Sequence, residues 1–524
     1  MIKDYKEPVY GIGIQSFEDL RNRGCIYVDK TKYIHMLTQR GKYYFLSRPR
    51  RFGKSLFVST LEAFFLGKRH LFKGLYIDSV EKDWIKYPVL HFDLNAQDYS
   101  RSDALKQILN LQLQFMEEDW DLTPNLDSSP ESRFIMLIRH IYQKAKKKIV
   151  ILIDEYDKPL LKTVDNPDLQ EEFRNQLRGF YGVLKTMDPY IQFAFITGVG
   201  HFSKVSIFSD LNNLNVISFD LRYSGICGIE ETELVPNFRE SIRYLSGKLN
   251  RPEEDTLSEL KKRYDGYHFA TPEICEGIFN PFSLLSVFDK LELGNYWFDT
   301  GTPDFLAQLV AKHNLNLTDL GEIKASKDQL KTMDLSLTNP VPILYQTGYL
   351  TLKKTTESGN FILGFPNDEV EESFYNYLIQ AYVAQNFENN MFAASLLADD
   401  VLSGDIDDFV KRVNALFADL PYDIIPNEEK HFQTIMVLLV KMLGFYVEAE
   451  YRTSDGRIDM VVKSQKYIYV FEFKFNGSAE DALNQIDTKG YLLPFKADGR
   501  KLYKIGMNFS KEQRRISEII VKEG

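Results

Sequence analysis

Two groups of residues in this 524-residue chain have the types and spacing to do phosphate chemistry. The first is Gly53-Lys54-Ser55, preceded by Arg48-Pro49-Arg50-Arg51-Phe52 and by the apolar run Tyr43–Ser47. Between a strand and a helix, such a tripeptide holds a nucleoside triphosphate. Loop N–H groups cradle the phosphates, the lysine reaches the β and γ oxygens, and the hydroxyl binds magnesium. Arg51 and Phe52 complete the nucleotide-binding set with Gly53, Lys54 and Ser55. One position departs from the usual loop: Arg48 stands where its first glycine is found.

Partners for this loop come from two later strands. The buried-strand run Ile149–Ile153 ends in Asp154-Glu155, where the first acid would complete a magnesium site with Ser55 and the second would activate the attacking water. The run Gln192–Ile196 ends in Thr197-Gly198. Its hydroxyl would sense the γ-phosphate or position water, or else cap the following turn. Arg174 and Arg178, on the helix before that strand, would serve a neighbouring subunit's nucleotide if the chain forms a homo-oligomer, although surface arginines are commoner than such fingers.

The second group lies near the end of the chain. Tyr467–Phe475 reads as an apolar strand interrupted by Glu472 and Lys474, which alternation puts on one face while Phe471, Phe473 and Phe475 take the other. Charges inside such a strand need partners or a function, because unpaired burial is costly. The run Gly456–Val462 supplies Asp459 as a hairpin partner. An Asp on one strand and a Glu-x-Lys on the next resembles the arrangement of the PD-(D/E)XK nucleases, which implies carboxylates that bind magnesium, a metal that polarises the scissile phosphate and acidifies a bound water, and a lysine that orients that water or balances charge. A half-solvated strand with a cross-strand ion pair is the alternative reading of Glu472 and Lys474 alone.

The elements that must position these groups follow from periodicity. In the first part of the chain, apolar runs at Tyr43–Ser47, Val89–Leu94, Ile149–Ile153, Gln192–Thr197 and Val216–Phe219 alternate with helical stretches at Ser55–Phe65 and Glu171–Met187. That pattern predicts a parallel α/β sheet with helices on both faces and ligands at its carboxyl edge. A mostly helical connector follows, with strand-like runs at Gly348–Leu352 and Phe361–Phe365. Pro421 to Pro426 marks a boundary before a helix capped at Asn427. The expected domains are 1–228, 229–420 and 421–524.

Composition sets outer limits. Apolar residues at 44% and charged residues at 26% describe a globular protein of two or three cores. The formal net charge of −10 gives no global attraction to nucleic acid, so such binding must use local patches. Lys144 and Lys146–Lys148 fit a solvated helix end better than a binding stripe. No apolar stretch could span a bilayer, and Met1–Tyr5 lacks an apolar leader, so no membrane partner and a cytoplasmic location are expected. Cys25, Cys227 and Cys275 are few, odd in number and without zinc spacing.

These residues resemble a bacterial family of AAA-ATPase-like proteins. The likeness runs through Tyr27–Thr31, Arg48–Ser55, Asp154–Asp157, Thr197–Val199, Phe202–Phe208, Tyr264–Tyr267, Tyr296–Phe298 and Tyr345–Tyr349. In that family the Arg-Pro-Arg-Arg-Phe lead-in is the norm, which implies that Arg48 is a family trait. The C-terminal pattern resembles the PD-(D/E)XK nuclease superfamily, including Asn427–Gln433 and Gln485–Tyr491. That resemblance implies Glu429 as a further metal ligand and Gln485 and Lys489, four apart on one helix face, as auxiliary positions.

Together these features predict an ATP-binding P-loop NTPase that regulates a magnesium-dependent nuclease acting on nucleic acid, DNA in the first instance. Lys54, Ser55, Asp154 and Glu155 would serve the ATP site, and Asp459, Glu472 and Lys474 would cleave a phosphodiester. A nucleotide-dependent switch or scaffold whose C-terminal domain binds without cleaving is the alternative. A small-molecule kinase leaves the long remainder of the chain unexplained.

Overall fold

The computed structural model describes residues 8–201, 207–208, 211, 213–298, 322–331, 339–382, 390–418, 436, 438–444, 448–451, 459–510, 512–513 and 515–524. The expected boundary at Pro421–Pro426, the helix from Asn427 and the segment Phe202–Ser206 lie outside these residues. The described chain up to Val370 forms one compact unit, and from Glu371 a second.

In the first unit, the strands β1 (Tyr43–Ser47), β2 (Val89–Asp93), β3 (Ile149–Asp154), β4 (Ile191–Gly198) and β5 (Asn215–Val216) form a sheet. Among the described residues its order is β2-β3-β4-β1-β5, with every pairing parallel. β1 and β3 are buried at every position, as near-continuous apolar runs must be in a sheet covered on both faces. The predicted run Val216–Phe219 is shorter as a strand. Ile217 still donates to the Phe45 carbonyl at 3.0 Å, but Asp220 then turns the chain into the 3-10 segment Leu221–Ile226.

Local chemistry sets the helices around this sheet. Lys54–Phe65 buries Phe57, Val58, Leu61, Phe64 and Phe65. Pro167–Thr186 starts with Pro at its first position behind Asn166, whose side chain accepts the Leu169 N–H. Pro130–Ala145 is capped by Ser129 and ends at Lys146 in a left-handed conformation. Beyond it the lysine run is used locally: Lys144 pairs with Asp121 at 2.6 Å, and Lys147 donates to the Lys86 carbonyl at 2.9 Å.

Described residues 229–370, expected from sequence in a connector that runs on to 420, group with this sheet in the first unit. They contain β6 (Ile229–Glu230) paired with β7 (Ile278–Phe279), and an antiparallel set of β8 (Ile323–Ala325), β9 (Thr351–Thr355) and β10 (Phe361–Gly364). The helices Glu231–Leu249, Glu253–Tyr264 and Pro281–Lys290 share a core that includes Leu234, Phe238, Leu245, Leu260 and Val287.

The second unit is built on β11 (Glu448–Tyr451), β12 (Met460–Lys463), β13 (Tyr467–Phe475), β14 (Lys501–Ser510) and β15 (Arg515–Glu523), in that order across the sheet. β13 and β14 are parallel, and the other neighbours are antiparallel. A parallel pair needs a crossover, and the helix Ala479–Lys489 supplies it. Ile468 and Val470 of β13 pack with Leu483 and Ile486 of that helix. The helix lies so close to β14 that a Cβ at Gly506 would fall 2.2 Å from the Ala479 carbonyl oxygen. Among the described residues, no helix is long and apolar enough to cross a membrane.

Candidate functional site

The parallel register brings three chain segments to one edge of the first sheet. Ser47 lies opposite Gly198, and Ile153 opposite Ile196, so the loop after β1, the acids after β3 and Thr197 in β4 converge. Gly53 opens the helix Lys54–Phe65 with φ 88°, a conformation that glycine adopts without strain. Open space surrounds its position, so the demand is conformational and not steric.

Arg48 takes the place of a glycine because its side chain has a separate task. The guanidinium is 1% exposed and donates to the carbonyls of Ser47, Ser218 and Tyr223 at 2.9, 2.8 and 3.0 Å, with a longer contact to Ser224 at 3.4 Å. It lies over the Phe269 ring at 4.1 Å. Burial lowers its pKa to about 10, still far above neutrality. The rest of the loop is braced from the later helices: Trp297 Nε1 donates to the Arg50 carbonyl at 3.1 Å, and Arg51, with φ 67°, lies over Phe282 at 4.6 Å. Phe52 packs edge-on against Tyr267 at 4.7 Å. Pro49 sits where a Cβ on Gly348 would come within 2.7 Å. Three of the motifs that carried the family resemblance, around Tyr267, Trp297 and Gly348, therefore surround the loop.

Lys54 is buried, and its Nζ donates to the carbonyls of Arg48 and Pro49 at 3.0 and 3.1 Å, with Glu155 Oε1 at 3.9 Å. Ser55, next on the helix, is half-buried. Asp154 Oδ1 accepts from the Thr197 hydroxyl and, at 3.1 Å, from the Glu155 N–H. Glu155 adopts φ 54°, unusual for a residue with a Cβ. On the helix Pro167–Thr186, Arg178 is half-buried, and Arg174 pairs with Glu171 of its own helix.

Beside Gly53 lies a feature that sequence reading did not anticipate. A cavity of about 650 Å³, counting its open mouth, is walled by apolar groups including Ile26, Val28, Leu56, Cys227 and Ile229. Lys30 is the charged residue in its wall, and Glu233 holds the Lys30 ammonium at 2.5 Å. A flat base attached to phosphates on this loop fits a cavity of that chemistry.

In the second unit, β12 and β13 pair with Met460 opposite Phe471, which brings Asp459 to Glu472. Asp459 Oδ2 accepts the Phe473 N–H at 2.9 Å. Glu472 is 2% exposed, with Lys474 Nζ at 3.6 Å from Oε1 and no hydrogen-bond partner for Oε2 among the described residues. Burial first, then the Asp459 charge, push the Glu472 pKa up to about 7, and burial also raises that of Asp459. An unpartnered carboxylate oxygen beside a second carboxylate is a donor set that fits a hard cation. Lys474 donates to Gln485 Oε1 at 2.5 Å. Lys489 is exposed at the end of that helix. Glu429 lies outside the described residues.

Of the residues that sequence spacing singled out, the structure brings Lys54, Asp154, Glu155 and Thr197 together in the first unit and Asp459, Glu472 and Lys474 in the second. Spacing missed the apolar cavity beside Gly53, whose walls look like any core, and the bracing by Trp297, Phe269 and Phe282, since aromatic residues far along the chain give no sign of what they touch.

The chain matches the family model described as Predicted AAA-ATPase over residues 11–208, and that of the PD-(D/E)XK nuclease superfamily over residues 427–519. An uncharacterized protein in the vnfD 5' region of Azotobacter chroococcum mcd 1 is 34% identical over 523 residues, covering 98% of each chain. A crystal structure of Cdc6p from Pyrobaculum aerophilum aligns with 68% of this chain and 94% of its own at 10% identity and a TM-score of 0.24, too low to carry an argument.

Proposed function

Given that this chain belongs to the AAA-ATPase-like family and carries a PD-(D/E)XK nuclease superfamily domain, we propose that it binds and hydrolyses ATP to regulate magnesium-dependent cleavage of nucleic acid. The observation that carries this reading is that each compact unit holds its own acid-and-lysine site. In the first, Lys54 would exchange its loop carbonyls for the β and γ phosphates, Ser55 and Asp154 would hold magnesium, Glu155 would accept a proton from water, and the Thr197 hydroxyl would register the γ-phosphate. The apolar cavity beside Gly53 takes the base.

In the second unit, Asp459 and Glu472 would hold magnesium, which supplies Lewis-acid activation of the scissile phosphate and of a water when bound. Lys474, oriented by Gln485, balances charge that develops on the phosphate. Residues 459–524 contain twelve Lys and Arg against nine Asp and Glu, although the whole chain has a net charge of −10. Residues 371–524 of the unit contain eighteen Lys and Arg against twenty-four Asp and Glu, so nucleic-acid binding would rest on this terminal stretch alone. The test is incubation of the purified protein with magnesium and single- and double-stranded DNA and RNA, with and without ATP. Magnesium-dependent cleavage is the expected result. Salt-dependent binding that survives Asp459→Asn, without cleavage of any substrate, would favour a switch or scaffold instead.

A further inference from the structure

Asp157 lies two residues past Glu155 and is wholly buried. Its Oδ2 accepts the N–H groups of Val199 and Gly200 at 2.9 and 2.7 Å, while Oδ1 has no hydrogen-bond partner among the described residues. The contact continues on either side. Tyr156 N–H donates to the Thr197 carbonyl at 3.0 Å, the Tyr156 hydroxyl donates to the Gly200 carbonyl at 2.9 Å, and the Thr197 hydroxyl donates to Asp154. The segments Asp154–Asp157 and Thr197–Gly200 are therefore joined on both sides of Glu155, through Asp154, Tyr156 and Asp157 on one segment and Thr197, Val199 and Gly200 on the other. They approach so closely that a Cβ on Gly198 would come within 2.6 Å of both Asp157 Oδ1 and the Tyr156 ring.

Resting on the ATPase reading above, we propose that Asp157 is a positioning residue for hydrolysis: its carboxyl clasps the Thr197–Gly200 loop and so holds Glu155 and the Thr197 hydroxyl in register about the γ-phosphate. Glu155 has a left-handed backbone, which persists only where its flanks are fixed. On its N-terminal side β3 is paired with β4 through Ile153. On its C-terminal side the fixing groups are Tyr156 and Asp157. The loop is anchored beyond the clasp by the His201 N–H, which donates to Gln346 Oε1 at 2.7 Å. Burial and the Glu155 charge raise the Asp157 pKa to about 7, so a neutral side chain of the same shape can accept the same two bonds. Asp157 makes no hydrogen bond to Lys54 or Ser55 and lies outside the wall of the base cavity, so the largest effect of the clasp falls on the γ-phosphate.

The test compares wild type, Asp157→Asn, Asp157→Ala and the loop-side variant Gly198→Ala by ATP turnover and by the dissociation constants of ADP and ATPγS with magnesium, with thermal melting as the folding check. In Asp157→Ala and Gly198→Ala, kcat and ATPγS affinity fall tenfold or more while ADP affinity stays within twofold, and Asp157→Asn recovers both to within threefold. If Asp157→Ala does not fold, Gly198→Ala carries the comparison. Unchanged turnover in both disruptive variants, ADP affinity falling with that of ATPγS, or an Asn variant as impaired as the Ala variant would overturn the proposal. A wild type that binds both nucleotides without turnover overturns the ATPase reading alone, and the ratio of ATPγS to ADP affinity then decides the role of Asp157. A wild type that binds neither overturns both.

Discussion

The two candidate sites are assembled in opposite ways. In the first unit, the groups that would meet ATP come from β1, β3 and β4 and are braced by residues as distant as Ser218, Trp297 and Gly348. In the second, Asp459, Glu472 and Lys474 sit on one hairpin, and strand register alone sets their spacing. The difference teaches where each site is vulnerable. A dispersed site with left-handed Arg51 and Glu155 depends on many remote contacts, whereas a hairpin site depends on a few local side chains.

The sharpest break falls on the local site. Glu472→Ala removes a group that would touch the reacting atoms, and cleavage should fall by about 10³-fold or more while ATP turnover persists. Retained cleavage, read from product on a gel, would remove Glu472 from the chemistry. The next largest effect is on the dispersed site and looks paradoxical from sequence. Arg48→Gly restores the usual first glycine of the loop, yet it strips the carbonyls of Ser47, Ser218 and Tyr223 of their donor. The expected loss is about 3 kcal/mol or more of stability, read by urea unfolding, and unchanged stability would show that the guanidinium is dispensable.

Those two substitutions also mark what sequence could and could not disclose. The strands β1, β3, β4 and β13 were legible because uninterrupted apolar runs ended in, or were broken by, residues that burial would not tolerate without a purpose. Asp459 was placed with Glu472 by hairpin alternation alone. The task of Arg48 was not legible, since its acceptors are backbone atoms, at Ser218, Tyr223 and Ser224 as well as neighbouring Ser47, which no side-chain pattern records. The apolar cavity beside Gly53 was hidden for a related reason: Ile26, Val28 and Ile229 are of the same apolar kind as the core behind them. The grouping of residues 229–370 with the parallel sheet rests on aromatic contacts such as Phe52 with Tyr267, again invisible in spacing.

Smaller perturbations sharpen the contrast. Trp297→Phe keeps the ring and removes one N–H donated to the Arg50 carbonyl, a loss of about 1 kcal/mol. ATP affinity should weaken about fivefold, measured by titration, with ATP-independent cleavage untouched. An unaltered affinity would mean that the loop does not need the brace.

A last perturbation is pH. Burial raises the pKa values of Asp157 and Glu369 to about 7 and of Asp265 to about 6, whereas carboxyls in an unfolded chain titrate near about 4. Between those values the folded unit binds more protons, so its stability declines as pH rises from about 4 to about 7, by at most about 1.4 kcal/mol per pH unit for each group. Melting of this unit should therefore occur at a higher temperature at pH 6 than at pH 8, and Glu369→Gln should reduce the difference. A melting temperature independent of pH over that interval would show these carboxyls ionised in the folded state.

Control of cleavage at the hairpin site by a nucleotide in the dispersed site is what we propose. Its most direct test is the rate of magnesium-dependent nucleic-acid cleavage, with and without ATP, in wild type and in Lys54→Ala. ATP should change the wild-type rate and leave that of Lys54→Ala unaltered. Wild-type cleavage that is indifferent to ATP, or an ATP response that survives in Lys54→Ala, would contradict it.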